Sequence, residues 1–245
     1  MNNWKTLGSF IVIIGIIGIA GVLWRKNPVS VSETPKVEKT ESVASSTAPS
    51  LVRQVKYSAD LSPEARRILG EHISKLSESL SNNVDDFGSW MNLAIQYKTA
   101  GDYEGAQKVW EYISYLHPGE GISLHNLGDL YHHYLKDFAK AEEYYKRSID
   151  ADATQGVNYL ALHELYRYSY KQNTAAAADI LKKGIANVSG NQIIDLYSAL
   201  GSYYQAKNDR TNAIFYLTYA RDAAQKAGNT MLAAQFNDEL ATLKK

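Results

Sequence analysis

The stretch FGSWMNLAIQYKTAGDYEGAQKVWEYISYLHP, residues 87–118, constrains the fold more than any other part of the chain. Trp90, Leu93, Ala94 and Tyr97 follow one another at intervals of three, one and three residues, so a helix places them on one face. Gly101-Asp102 breaks that pattern as a turn does. Ala106 and Trp110 share a face of a second helix, and Pro118 follows where a helix does not readily continue. Ala94 and Ala106 are small, and two helices approach closely only where the side chains between them are small. The stretch therefore predicts a helix hairpin.

In this register the hairpin resembles the tetratricopeptide repeat, a unit of about 34 residues. The family's pattern is an aromatic, Leu with Gly or Ala, Tyr, a turn Gly, a second Ala, an aromatic, a further small residue and Pro. Trp90, Leu93-Ala94, Tyr97, Gly101, Ala106, Trp110, Ile113 and Pro118 hold those places, and Ile113 alone departs, being larger than the usual Ala. Three further copies follow. Leu124, Leu127-Gly128, Tyr131, Phe138, Ala141 and Tyr145 repeat the pattern within residues 120–153, with one extra residue in the turn around Leu135-Lys136-Asp137. Residues 155–189 hold a degraded copy, in which His163 is too large for the close-contact place beside Leu162. Residues 191–226 return to it with Tyr197, Leu200-Gly201, Tyr204, Ala213, Leu217 and Ala220.

Two flanking helices complete the folded region, residues 61–245. Ser62-Pro63-Glu64 reads as a helix start, and Ile68, Leu69, Ile73, Leu76 and Leu80 give it an apolar stripe. Residues 230–243 carry Leu232, Phe236, Leu240 and Leu243, as a terminal cap would, because the last repeat otherwise leaves an apolar face in water. The resemblance implies an all-α, right-handed superhelical solenoid of antiparallel helix hairpins.

The N-terminal end differs in kind. Leu7 to Trp24, LGSFIVIIGIIGIAGVLW, is an uncharged run of about 27 Å as a helix, close to the thickness of a bilayer's hydrocarbon core. Trp4 and Trp24 flank it as interfacial anchors do. Residues 1–26 thus predict a transmembrane signal-anchor. A cleaved signal peptide is the rival, with Gly18-Ile19-Ala20 as a small-x-small site, although Val22-Leu23-Trp24 carries the apolar run past it. Lys5 and the amino terminus on one side and Arg25-Lys26 on the other nearly balance the positive-inside rule, or tip it slightly toward a cytoplasmic C-terminal side. The habit of N-terminal anchors bearing a large domain places the repeats outside the cytoplasm. Residues 27–60 scatter Pro28, Pro35 and Pro49 among polar residues without a helical period, which predicts a flexible tether spanning roughly 30–35 Å.

Composition narrows the function classes. The formal net charge is zero, with residues 1–60 at net +3 and residues 61–245 at net −3, which argues against nucleic-acid binding. There is no cysteine, so disulfides, thiolate metal sites and cysteine catalysis are excluded. No phosphate loop, His-Glu-x-x-His helix or serine elbow occurs, and repeats fill the folded part, so no enzyme activity and no cofactor are expected.

In the resembled family the first helix of each pair lines a concave side that takes a peptide or a partner helix. On that basis the inward residues are Met91, Ile95 and Lys98 from the first copy. The second gives His125, Asp129, His132 and His133; the third Leu160, Glu164, Arg167 and Tyr168; the fourth Ser198, Ser202 and Gln205. The family's Lys-Asn-Arg carboxylate clamp does not carry over, because Met91 and Ile95 stand in its places. His125, Asp129 and His132 share a helical face and are of the residue types that bind zinc, but a polar inner groove explains them more simply. The expected function is a membrane-tethered scaffold holding a protein or peptide partner in the groove; the alternative is a self-associating assembly protein.

Overall fold

The computed structural model describes residues 47–172 and 174–245. Residues 1–26, expected to form an anchor, and most of the expected tether lie outside the described residues. Among those described, no helix is long and apolar enough to cross a membrane.

The described residues form ten α-helices and two π-helical segments, with no strand. These are α1 (Pro63–Asn82), α2 (Phe87–Ala100), α3 (Tyr103–Leu116), α4 (Gly121–Asp129), α5 (Phe138–Ala151), α6 (Gly156–Glu164), α7 (Ala176–Asn187), α8 (Gln192–Ala206), α9 (Arg210–Lys226) and α10 (Thr230–Leu243). The π segments Leu130–Leu135 and Leu165–Ser169 continue α4 and α6. Helices pack in chain order: α2 on α3, α4 on α5, α6 on α7 and α8 on α9, with each pair also touching the next. Helix α1 packs on α2, and α10 on α9.

Each hairpin is built from local chemistry. The Asp102, Asp137 and Asp209 carboxylates accept backbone N–H bonds from Gly105, Lys140 and Asn212, capping α3, α5 and α9. The residue before each Asp is left-handed: Gly101 at φ 86°, Lys136 at 57° and Asn208 at 58°. The Asp102 N–H donates to the Tyr97 carbonyl and the Asp209 N–H to that of Tyr204, both across five residues. The Asp137 N–H donates to Tyr131, across six. The extra turn residue of the second copy is therefore absorbed inside the first helix as a π turn, which leaves the Asp cap where the first and fourth copies have it; the third has Ala175 there and no side-chain cap.

The motif residues are the core. Trp90, Leu93, Ala94, Tyr97, Ala106 and Trp110 are buried. A Cβ added at Gly128 would collide with the Tyr145 ring, which is why the close-contact place must be small. His163 holds that place in the third copy, against Ala177 of α7, and its Nδ1–H donates to the Ala177 carbonyl at 2.7 Å. Burial keeps that imidazole below its usual pKa. In the fourth copy Tyr197 and Tyr204 are only half-buried and stack on Tyr219 and Tyr216, with ring centroids 5.3 and 5.6 Å apart. Ile68, expected on the apolar stripe of α1, is exposed; Leu69, Ile73 and Leu80 carry that face. Ala233, Phe236 and Leu240 of α10 bury against the last pair and close the array.

Within the stretch 27–60 that composition reads as a tether, residues from Pro49 to Ser58 lie on the first hairpin. The Arg53 guanidinium pairs with the Asp102 carboxylate at 3.0 Å, where Asp102 has no side-chain exposure. The Lys56 N–H donates to the other Asp102 oxygen at 3.1 Å, and the Ser58 N–H to the Ala100 carbonyl at 2.7 Å. Arg66 of α1 donates to the carbonyls of Ser58, Ala59 and Leu61. Leu51 and Val55 pack against the core. Gly105 leaves room for this strap: a Cβ there would come within 2.6 Å of Arg53 Nη1. Composition suggested a free coil, but one buried cap Asp with spare acceptor capacity, far away in sequence, binds the segment down.

Candidate functional site

The residues expected to face a partner come from α2, α4, α6 and α8 and flank the buried stripe of each. Ile95 is exposed on α2, with Met91 and Lys98 half-buried; the Lys98 ammonium lies 5.8 Å from the Trp110 ring and 5.9 Å from that of Tyr134. Glu164 and Tyr168 are exposed in the third pair, and Leu160 is half-buried. Gln205 is exposed in the fourth, with Ser198 and Ser202 half-buried.

Several of the polar residues brace neighbouring first helices. His125 Nδ1 lies 2.9 Å from Asn158 Oδ1, joining α4 to α6; an amide oxygen only accepts, so Nδ1 carries the proton. Arg167 Nη2 donates to the Ser202 carbonyl at 3.4 Å, joining the third pair to α8, and its guanidinium stacks on Tyr168 at 4.9 Å. Asp129 Oδ1 accepts from the Tyr145 hydroxyl at 2.7 Å. These residues stiffen the face as well as colour it.

His132 does not face a partner. It is 3% exposed, its Nε2 lies 2.9 Å from Ser169 Oγ, and its ring packs edge-on against Phe138 and Tyr145. The reason is the π turn, whose i→i+5 pattern delays each later side chain by about one position. His132 turns inward and His133 stays exposed beside it. Burial, with His133 and Lys136 nearby, pushes the His132 pKa down to about 4. His125 and Asp129 face each other, Nε2 to Oδ2 at 3.7 Å, and also engage Asn158 and Tyr145, whereas His132 turns away to Ser169. Among the described residues no group of three His, Cys, Asp or Glu side chains is placed to hold a metal ion.

A pocket of about 490 Å³ opens between the first turns of α4 and α6. Ile122 and Val157, exposed by 58% and 49%, stand in its walls. Asn158 and His125 lie between them, and Glu120 and Asp152 also line it. Of these, sequence reasoning singled out only His125. A signal was present: Ile122 and Val157 are each the second residue of a first helix, so the two repeats present an aliphatic side chain at the same place.

The tetratricopeptide repeat family matches residues 122–155, the second hairpin rather than the first. No curated protein matches the chain. Two crystal structures of a protein named MamA are similar. One is 17% identical over 69% of this chain and 98% of that one, with a TM-score of 0.50. The other is 22% identical over 63% and 85%, with a TM-score of 0.44. The first likeness establishes a solenoid fold of the tetratricopeptide type.

Proposed function

We propose, for a chain that carries a tetratricopeptide repeat in a solenoid of the same type, a scaffold that captures a protein partner on the face made by its first helices. One observation carries this reading. Ile95, Ile122, Val157, Glu164 and Tyr168 all stand exposed on α2, α4 and α6 and the π segment after α6, while His125–Asn158 locks α4 to α6 and Arg167–Ser202 ties that segment to α8. Apolar and charged groups on a stiff frame lose little conformational entropy on binding, which favours association. The mechanism is presentation of a surface, with no chemical step.

The apolar run Leu7–Trp24 supports tethering of this scaffold to a membrane. Replacing Glu164 with Arg and Tyr168 with Ser in one variant should abolish partner capture and leave the helical circular dichroism unchanged. Retained capture would sink the groove reading. Self-association is the second reading. It is favoured by Phe215 and Tyr219, which are half-exposed side by side on α9 with ring centroids 4.9 Å apart. A concentration-dependent dimer lost on Phe215→Ser would support it.

A further inference from the structure

Resting on that reading, we propose that the pocket between α4 and α6 receives an aliphatic side chain from a partner segment, flanked there by lysine or arginine. Its volume of about 490 Å³ falls in the range of small-ligand pockets, roughly 300–1,000 Å³. Ile122 and Val157 supply apolar walls that are now wet. Asn158, 3% exposed, spends its Oδ1 on His125, and among the described residues none accepts from its Nδ2. That leaves the amide hydrogens for a carbonyl of a bound backbone.

Charge selects the flanking residues. The lining holds two carboxylates, Glu120 and Asp152, and no Lys or Arg. Against them stand two helix N-termini, each worth roughly half a positive charge, so the carboxylates win by about one unit. Glu120 is already turned onto the α4 terminus, accepting from the N–H groups of Ile122 and Ser123. Asp152 is held below the usual carboxylate range by Thr154 and Gln155, and it stays ionised. An acidic segment would meet repulsion, and a basic one attraction.

The test is an NMR titration of the full ¹⁵N-labelled chain with three capped pentapeptides: Gly-Lys-Leu-Lys-Gly, Gly-Lys-Ser-Lys-Gly and Gly-Glu-Leu-Glu-Gly. The first should shift amides of residues 119–125 and 152–158, the second should bind at least fivefold more weakly, and the third should leave those amides in place. The exposed-site variant Ile122→Ala with Val157→Ala should lose at least fivefold, and Asp152→Lys should reverse the preference between the Lys and Glu peptides. Equal binding of the Glu peptide, shifts confined to other residues, no shift with any peptide, or indifference to the double variant would each overturn the proposal. Partner capture that survives the pocket variants but is lost on Glu164→Arg with Tyr168→Ser would defeat this inference alone and leave the scaffold reading standing.

Discussion

Removing the Arg53 guanidinium should free the strap without melting the array. Asp102 has no side-chain exposure and accepts three bonds, from Arg53 Nη2 at 3.0 Å, Lys56 N at 3.1 Å and Gly105 N at 3.1 Å. Stranding such a charge costs about 3–5 kcal/mol when nothing relaxes. Here the chain can relax, because lifting residues 49–58 lets water reach the carboxylate. Lifting gives up the Lys56 bond to a charged acceptor, about 1.5–3 kcal/mol, and the Ser58 bond to the Ala100 carbonyl, about 0.5–1.5 kcal/mol. With the carboxylate free to rehydrate on lifting, what the variant loses is the Arg53 bond itself, of the same charged class, so Arg53→Ala should lower the opening free energy of the strap by about 2 kcal/mol. That is roughly a 30-fold change in population. Stability in a repeat array is a sum of neighbour terms, so the loss should stay local. Amide exchange is the assay: the Lys56 and Ser58 amides should exchange about 30-fold faster, with α5 amides unchanged. Arg53→Lys should fall between, keeping the charge and losing the planar fork. Exchange at Lys56 and Ser58 within threefold of the parent would refute the argument.

Three further expectations follow from the geometry. Gly128→Ala drives a methyl into the Tyr145 ring; overpacking at about 1–3 kcal/mol outweighs a helix-propensity gain of about 1 kcal/mol, and the urea midpoint should drop accordingly. Lys136→Gly relieves a left-handed residue at φ 57°, where the relief of about 1–2 kcal/mol exceeds glycine's entropic penalty, so stability should rise by about 0.5–1 kcal/mol in the same assay. His132 binds its proton near pH 4 when folded and near 6.5 when unfolded, so its contribution is complete above pH 6.5 and is lost as the pH falls toward 4. His132→Gln should flatten the pH dependence of stability across that window, and an unchanged slope would contradict the burial argument.

The all-helical repeat fold was legible because it rests on spacing. Trp90, Leu93, Ala94, Tyr97, Ala106 and Trp110 repeat at intervals that only a helix pair satisfies, and all are buried. What escaped the sequence depends on contacts across long separations. The strap is one case, since nothing near Arg53 announces a carboxylate 49 residues away. His132 is another: the extra turn residue was visible, but whether it would sit in the loop or inside the helix is decided by the fixed Asp137 cap. The groove residues were located by position, yet position does not say that His125 and Arg167 would be partly consumed in bracing α4, α6 and α8. The pocket was missed because it needs Ile122 of one repeat and Val157 of the next to be brought together.

Site-specific photocrosslinking in intact cells tests the scaffold claim most directly. A benzophenone amino acid would replace Ile95, Glu164 or Tyr168 on the first-helix face, and Tyr115 or Phe215 on α3 and α9 as exposed second-helix positions. The account predicts one discrete adduct from the three first-helix positions and none of that mass from the other two. Adducts confined to Tyr115 or Phe215, or the same adduct from all five, would contradict it.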